Sequence, residues 1–157
     1  MVEGEGDREE YVISSTGSRL KAYLIDDTIV SLFIFAIFYD QFMDIFMRYQ
    51  SDGDISHLLL FMEQNSLVVI SLRIIYQTFF VWQYGMTIGK MLSHIRVVEL
   101  NDESKSITKP TFKSAILRST FRVVSDTILY LGYLVAHFSP LNQTLHDKLA
   151  NTIVVDV

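Results

Sequence analysis

Cysteine is absent from this 157-residue chain, which excludes disulfides, thiolate metal sites and a cysteine nucleophile. Proline (two) and glycine (seven) are scarce, which argues against a low-complexity or disordered chain. A basic leader is missing as well. The opening "MVEGEGDREE" is acidic, whereas a secretory signal needs a positive start and an apolar core. Residues 1–17 therefore read as an acidic solvated tail, and 18–157 as one membrane domain. What the chain does have is apolar bulk. Half of its residues are hydrophobic, 13% are aromatic, and the mean hydropathy is +0.28. This composition points to a lipid bilayer as the surrounding medium.

Apolar residues concentrate at about 22–39, 66–84 and 120–139. A helix needs about 20 residues to cross a hydrocarbon core about 30 Å thick, and each stretch is long enough. The expected fold class is an all-α membrane protein with three hydrophobic helical segments. Charge sets the orientation. Arg8, Arg19 and Lys21 precede the first stretch, and Lys90, Arg96, Lys105, Lys109, Lys113 and Arg118 separate the second from the third. The first loop carries Arg48 against Asp40, Asp44, Asp52, Asp54 and Glu63. Positive residues stay in the cytoplasm, so the N-terminus and the second loop are expected there. "IRVVEL" (95–100) and "NTIVVDV" at the C-terminal end are β-branched and read as strands of a small cytoplasmic β element. Their pairing needs a cytoplasmic C-terminus, which three full crossings forbid. The third stretch is then a hairpin or re-entrant element, favoured over a plain span with an external tail.

Charges inside these stretches are the candidate functional residues. An Asp at the centre of a membrane helix costs roughly 2.5–3.5 kcal/mol. Arg19 and Asp26 lie two helical turns apart on one face, with Asp26 about 10 Å deeper and Tyr23 able to bridge them. Asp27 points about 100° away and needs another partner, and the depth of Arg73 suits that role. Arg122 and Asp126 form an i,i+4 pair in the third stretch. Such groups define either a polar site for a cation, a proton or an anion, or a set of pairs that lock the helices together. Asp147, in "HDK", is expected to anchor the C-terminal segment to Arg96 or Arg118.

The remaining motifs are weaker. "GMTIGK" (85–90) is one residue too short for a phosphate-binding loop, and Met91 stands where Ser or Thr is required. Gly85 is expected to end a helix, Gly89 to permit a turn, and Lys90 to mark the cytoplasmic surface beside lipid phosphate. His57, His94, His137 and His146 lack zinc spacing, so no metal is expected. The His146–Asp147 pair has no nucleophile beside it, so neither an enzyme nor a cofactor is expected. The basic loop is too short and too poor in aromatics for nucleic acid.

Taken in order, "RLKAYLIDDTIV", "YGMTIGKMLSHIRVVEL" and "QTLHDKLANTIVV" resemble the signature segments of the RDD family of bacterial integral membrane proteins, over about residues 18–156. The family is named for one arginine and two aspartates. Arg19 and Asp26 match the first two, and either Asp27 or Asp147 the third. The resemblance implies a small multi-pass protein of the bacterial inner (plasma) membrane. Transport has been proposed for the family, and sodium/proton exchange is reported for some members. The function expected on this basis is movement of a small ion or solute through a site of Arg19, Asp26 and Asp27, supported by Arg73, Arg122, Asp126 and Asp147. Asp26 would alternate between a small cation and a proton, in a homo-oligomer. The alternative is a non-transporting scaffold or accessory subunit docking another membrane complex.

Overall fold

A computed structural model describes residues 2–3, 10–101, 106–127 and 143–157. The chain begins with a two-residue pairing of β1 (Val2–Glu3) and β2 (Glu10–Tyr11). Helix α1 (Thr16–Ile37) follows, opened by the Ser15 hydroxyl, which accepts the Ser18 N–H at 3.1 Å. At Phe38 the chain bends by 82° into α2 (Tyr39–Asp52). Gly53, at φ +70°, closes α2, and α3 (Ser56–Tyr84) runs back. At about 43 Å, α3 is longer than a hydrocarbon core is thick.

Among the described residues, α3 alone is long and apolar enough to cross a membrane by itself. Helices α1 and α2 pass that test only when taken together as one broken span. Of the three expected segments, only the second is thus a clear candidate span; the first, 22–39, falls almost wholly on α1, which does not pass that test alone. Most of the third lies outside the described residues. Its start is occupied by α5 (Phe112–Thr127), which begins earlier than the apolar stretch. That helix is amphipathic, because Ala115, Arg118, Ser119 and Arg122 fall on one buried face.

Gly85 caps α3 at φ +72°, as its position suggested, and its carbonyl accepts the Val97 N–H at 2.8 Å. A five-residue helix α4 (Ile88–Leu92) leads to β3 (Ile95–Asn101), then β4 (Ser106–Thr108). Near the C-terminal end, α6 (Leu145–Leu149) precedes β5 (Thr152–Asp156). The expected strand pairing is present: β3 and β5 are antiparallel, with Val97 opposite Val154, in a sheet of order β4-β3-β5. The segment before α1 extends that sheet. Ile13 bridges Val155, and the Ser14 N–H bonds Val154 O at 3.0 Å.

Two-residue alternation explains why β5 is buried on both faces. Val154 packs with Ala22, Val81, Ile95, Val97 and Ala115 on the helical side. Ile153 and Val155 pack with Val98 on the other. A separate cluster of Val30, Ile34, Phe38 and Phe61 joins α1 to α3 at the opposite end of the molecule. The Phe38 and Phe61 rings meet edge to face at 5.3 Å. Large apolar side chains such as Leu32, Phe33, Leu67 and Ile75 stay exposed around α1 and α3.

Candidate functional site

Helix α1 buries a single stripe: Arg19, Ala22, Asp26, Val30 and Ile34. Spacings of three and four place them on one face. The stripe is charged where it meets the sheet and apolar where it meets α3. Its two charges go to different partners.

Asp26 is 1% exposed and accepts three hydrogen bonds. Its Oδ1 receives the Tyr76 hydroxyl and the Gly89 N–H, each at 2.8 Å. Its Oδ2 receives the Thr87 hydroxyl at 2.5 Å. Thr87 is also the N-cap of α4. The carboxylate thus ties α1 to α3 and to the start of α4. Gly89 is where the two helices touch. A Cβ there would lie 2.2 Å from the Ala22 carbonyl oxygen and 2.8 Å from Asp26 Cγ. Gly89 therefore serves close helix contact rather than the expected turn.

Arg19 does not reach Asp26. Its NH1 pairs with Asp147 Oδ2 at 3.1 Å, its Nε donates to Ser14 Oγ at 2.7 Å, and its NH2 donates to Val154 O at 3.1 Å. Arg118 pairs with Oδ1 of the same carboxylate and donates to Thr152 Oγ1 at 2.7 Å. Asp147 also accepts the Thr144 N–H at 3.1 Å, holding the first turn of α6. So Asp147 does anchor the C-terminal segment to Arg118, while Arg96 stays exposed. Burial acts to raise the Asp147 carboxyl, and Arg118 and Arg19 overcome it and hold the group well below the usual carboxylate range. Beside it, burial pushes His146 down to about 3. His146 Nε2 lies 3.9 Å from Asp147 Oδ1, whose charge opposes that lowering.

Asp27 finds the partner its depth indicated: Arg73 NH1 lies 2.7 Å from Asp27 Oδ1, with both side chains about one-third exposed. Arg122 donates to Gln77 Oε1 at 2.8 Å and stacks its guanidinium 5.0 Å from the centre of the Tyr23 ring. Asp126 falls on α5, but its side chain lies outside the described residues, so its expected pairing with Arg122 does too.

Two small cavities follow from this arrangement, each of about 30 Å³. One lies among Asp26, Asp27, Arg73, Gln77, Ser119 and Arg122. The other lies nearer the sheet, among Arg19, Lys90, Arg118, Arg122, His146 and Asp147. Tyr23 and Arg122 line both. Sequence reasoning missed Lys90, Tyr76 and Thr87 as members of this region. Lys90 is 6% exposed and turned inward, 3.4 Å from Thr87 Oγ1, not at the surface as expected. The reason is that α4 packs against α1 through Gly89, which carries the next residue inside. Burial and then Arg122 push the Lys90 ammonium down to about 7, against the pull of Asp26. Among the described residues, no group of three or more His, Asp or Glu could hold a metal ion.

A helical body whose first helix is fastened by buried charge to a loop helix and to a terminal strand defines the class of the protein. Residues 13–151 match the RDD family, and the chain belongs to that family of membrane proteins. It is 36% identical over 72 residues to "Uncharacterized membrane protein YteJ" of Bacillus subtilis (strain 168). That match covers 46% of this chain and 41% of the relative, so less than half of the relative's length is spanned. No solved structure matches.

Proposed function

We propose that this chain is a multi-pass protein of a bacterial plasma membrane that binds and moves a small ion or solute, with its N-terminus and sheet in the cytoplasm. The observation that carries this reading is the pair of adjoining polar cavities. They share Tyr23 and Arg122 and lead from the sheet to the Asp27–Arg73 pair between the helices. Ionisable groups at such depth mark solute paths. Orientation rests on charge: Arg19, Lys21, Lys90, Arg96, Lys109 and Arg118 gather at the sheet end, and Asp40, Asp44, Asp52 and Asp54 at the α2 end. One chain exposes apolar side chains along much of α1 and α3, which suits a homo-oligomer in lipid.

The role expected of Asp26 changes in this reading. With three donors on its carboxylate it is a pin of the fold, and the mobile species belongs to the cavities beside it. The same saturation favours the second reading, a scaffold or accessory subunit whose charges only lock its parts together. Flux separates the two. Purified protein in liposomes would be given sodium or potassium gradients with an internal pH dye, and labelled phosphate in parallel. Transport predicts a signal from wild type that is lost in Asp27→Asn while the variant stays folded. Silence from folded, oriented wild type in every assay would leave the scaffold.

A further inference from the structure

The break at Phe38 falls at a defined depth. In the orientation given above, Arg19 marks the cytoplasmic end of α1, and Phe38 follows about 28 Å further along the helix. A hydrocarbon core is about 30 Å thick, so α1 reaches its far edge where the chain turns. Counting back about 20 residues from Tyr84 on α3 reaches Glu63, Gln64 and Asn65, the polar break in that helix. Phe38 touches Phe61 at 5.3 Å, so the two counts meet within a turn of one level. From that level α2 departs at 82°. An angle so near a right angle sets its 14 residues along the membrane surface rather than through it.

The rotation of α2 is fixed as well. Helical spacing puts Tyr39, Phe42, Met43 and Phe46 on one side, and Asp40, Asp44, Arg48 and Asp52 on the other. Tyr39 and Phe42 both rest on Phe35, edge to face at 5.7 Å and stacked at 5.6 Å. Phe35 lies on α1 just short of the break, deeper in the bilayer, so the apolar side of α2 faces the hydrocarbon. Between them runs a groove of about 580 Å³, lined by Phe35, Phe42, Met43, Phe46 and Leu58 among others. Phe46 and Met47 are 51% and 62% exposed, far more than a protein-covered face would leave them. The opposite side carries three aspartates against one arginine, which pairs with Asp44 at 2.8 Å. That balance is the reverse of the polybasic surface that anionic headgroups attract.

We propose that α2 is an interfacial helix of the outer leaflet, and that acyl chains of zwitterionic lipid fill the groove beneath it. The proposal rests on the multi-pass orientation above, and not on movement of a solute. A helix with one apolar and one charged side is built to lie in the headgroup boundary. A second groove, of about 510 Å³, shares Phe35 and Phe42 with the first and runs between α1 and α3 past Val69 and Ile70. The lipid contact of α2 is thus continuous with that of the two long helices. The rival occupant of the same face is a second copy of the chain.

The test places a nitroxide label on single cysteines of the full chain in phosphatidylcholine vesicles. Oxygen is the probe that enters lipid, and a nickel chelate the probe that stays in water. Tyr39 and Phe46 lie two turns apart on the same side of α2, as do Asp44 and Ser51 on the other. Tyr39→Cys and Phe46→Cys are expected at equal depth, about 5–10 Å below the headgroup boundary, and open to oxygen. Asp44→Cys and Ser51→Cys are expected to be open to the chelate. All four positions are exposed. Melting temperatures check folding, and Met43→Cys or Met47→Cys replaces an apolar-side variant that melts low. A depth difference of about 10 Å between Tyr39→Cys and Phe46→Cys would make α2 a continuation of the span, overturning the proposal and leaving the multi-pass reading in place. Chelate access on both sides would put the helix in water and overturn it. Closure of Phe46→Cys to both probes, with broadening between labels on neighbouring chains, would give the face to a second copy and overturn it too. A flat depth profile that the chelate reaches only from the cytoplasmic side would overturn the orientation above, and with it the leaflet assigned here.

Discussion

Asp147 receives two arginines and a backbone N–H at a position where it is fully buried. Removing its charge would take the shared carboxylate from the buried Arg19 and Arg118, and breaking a buried pair in this way costs about 3–5 kcal/mol. Asp147→Asn is therefore expected to lower the melting temperature in detergent sharply. Asp27→Asn should cost about 1 kcal/mol or less, because that pair is about one-third exposed and screened. Equal melting shifts for the two variants would show that burial does not rank these pairs. Lys90 supplies a test of opposite sign. Its ammonium falls from 10.5 to about 7 on folding, through burial, then Arg122 and Arg118, against Asp26 and Asp147. Between those two values the unfolded chain binds more protons than the folded one, so stability rises with pH across that window. Melting temperatures across it should climb more steeply for wild type than for Lys90→Met, and parallel slopes would remove Lys90 as the cause.

At the scale of elements, the contact of α4 with α1 sets how the rest is placed. It is made close by Ala22 and Gly89, and it is fixed by Asp26. In Gly89→Ala the new methyl would meet backbone oxygen, so α4 must move away and loosen the bonds from Gly89 and Thr87. Overpacking of this kind costs about 1–3 kcal/mol. Gly17→Ala meets nothing nearer than Ser15 Oγ at 3.7 Å and should be neutral or stabilising by up to about 1 kcal/mol. A melting curve for each variant decides whether close approach is what selects glycine at 89. The sequence made some of these elements plain. Strands β3 and β5 were legible because β-branched residues run together. The Asp27–Arg73 pair was legible because depth along two antiparallel helices can be counted. The bend at Phe38 was not, since no proline or glycine marks it. What the chain shows there is a change from an apolar helix to one bearing Asp40, Asp44 and Arg48, with the Phe38 ring held against Phe61. The start of α5 was hidden for a related reason: a helix that buries arginines does not read as apolar. Arg19 and Asp147 lie 128 residues apart, and their pairing depends on the C-terminal strand returning beside the first helix. Counting along one helix pointed instead to Asp26.

For the whole molecule, the sheet joins residues just before α1, the loop after α3 and the C-terminal strand at one end, while α2 lies at the other. If α3 spans the membrane, Lys109 and Val157 must face the same compartment, and Ser51 the opposite one. Absence of native cysteine makes this a clean measurement, because every label reports the introduced residue. All three positions are exposed, so single substitutions to cysteine there remain reachable. A membrane-impermeant maleimide applied to intact cells should label Ser51→Cys and spare Lys109→Cys and Val157→Cys. Inverted vesicles should give the reverse. Labelling of Val157→Cys on the same side as Ser51→Cys would mean that β5 and β3 lie across the bilayer from each other. That would be incompatible with the Val97–Val154 pairing, and with Asp147 as the link between Arg19 and Arg118. Labelling of all three from outside would place α3 on the membrane surface rather than through it. The charge segregation argues against that arrangement, because basic residues at the sheet end would lose the cytoplasmic position that positive loops take.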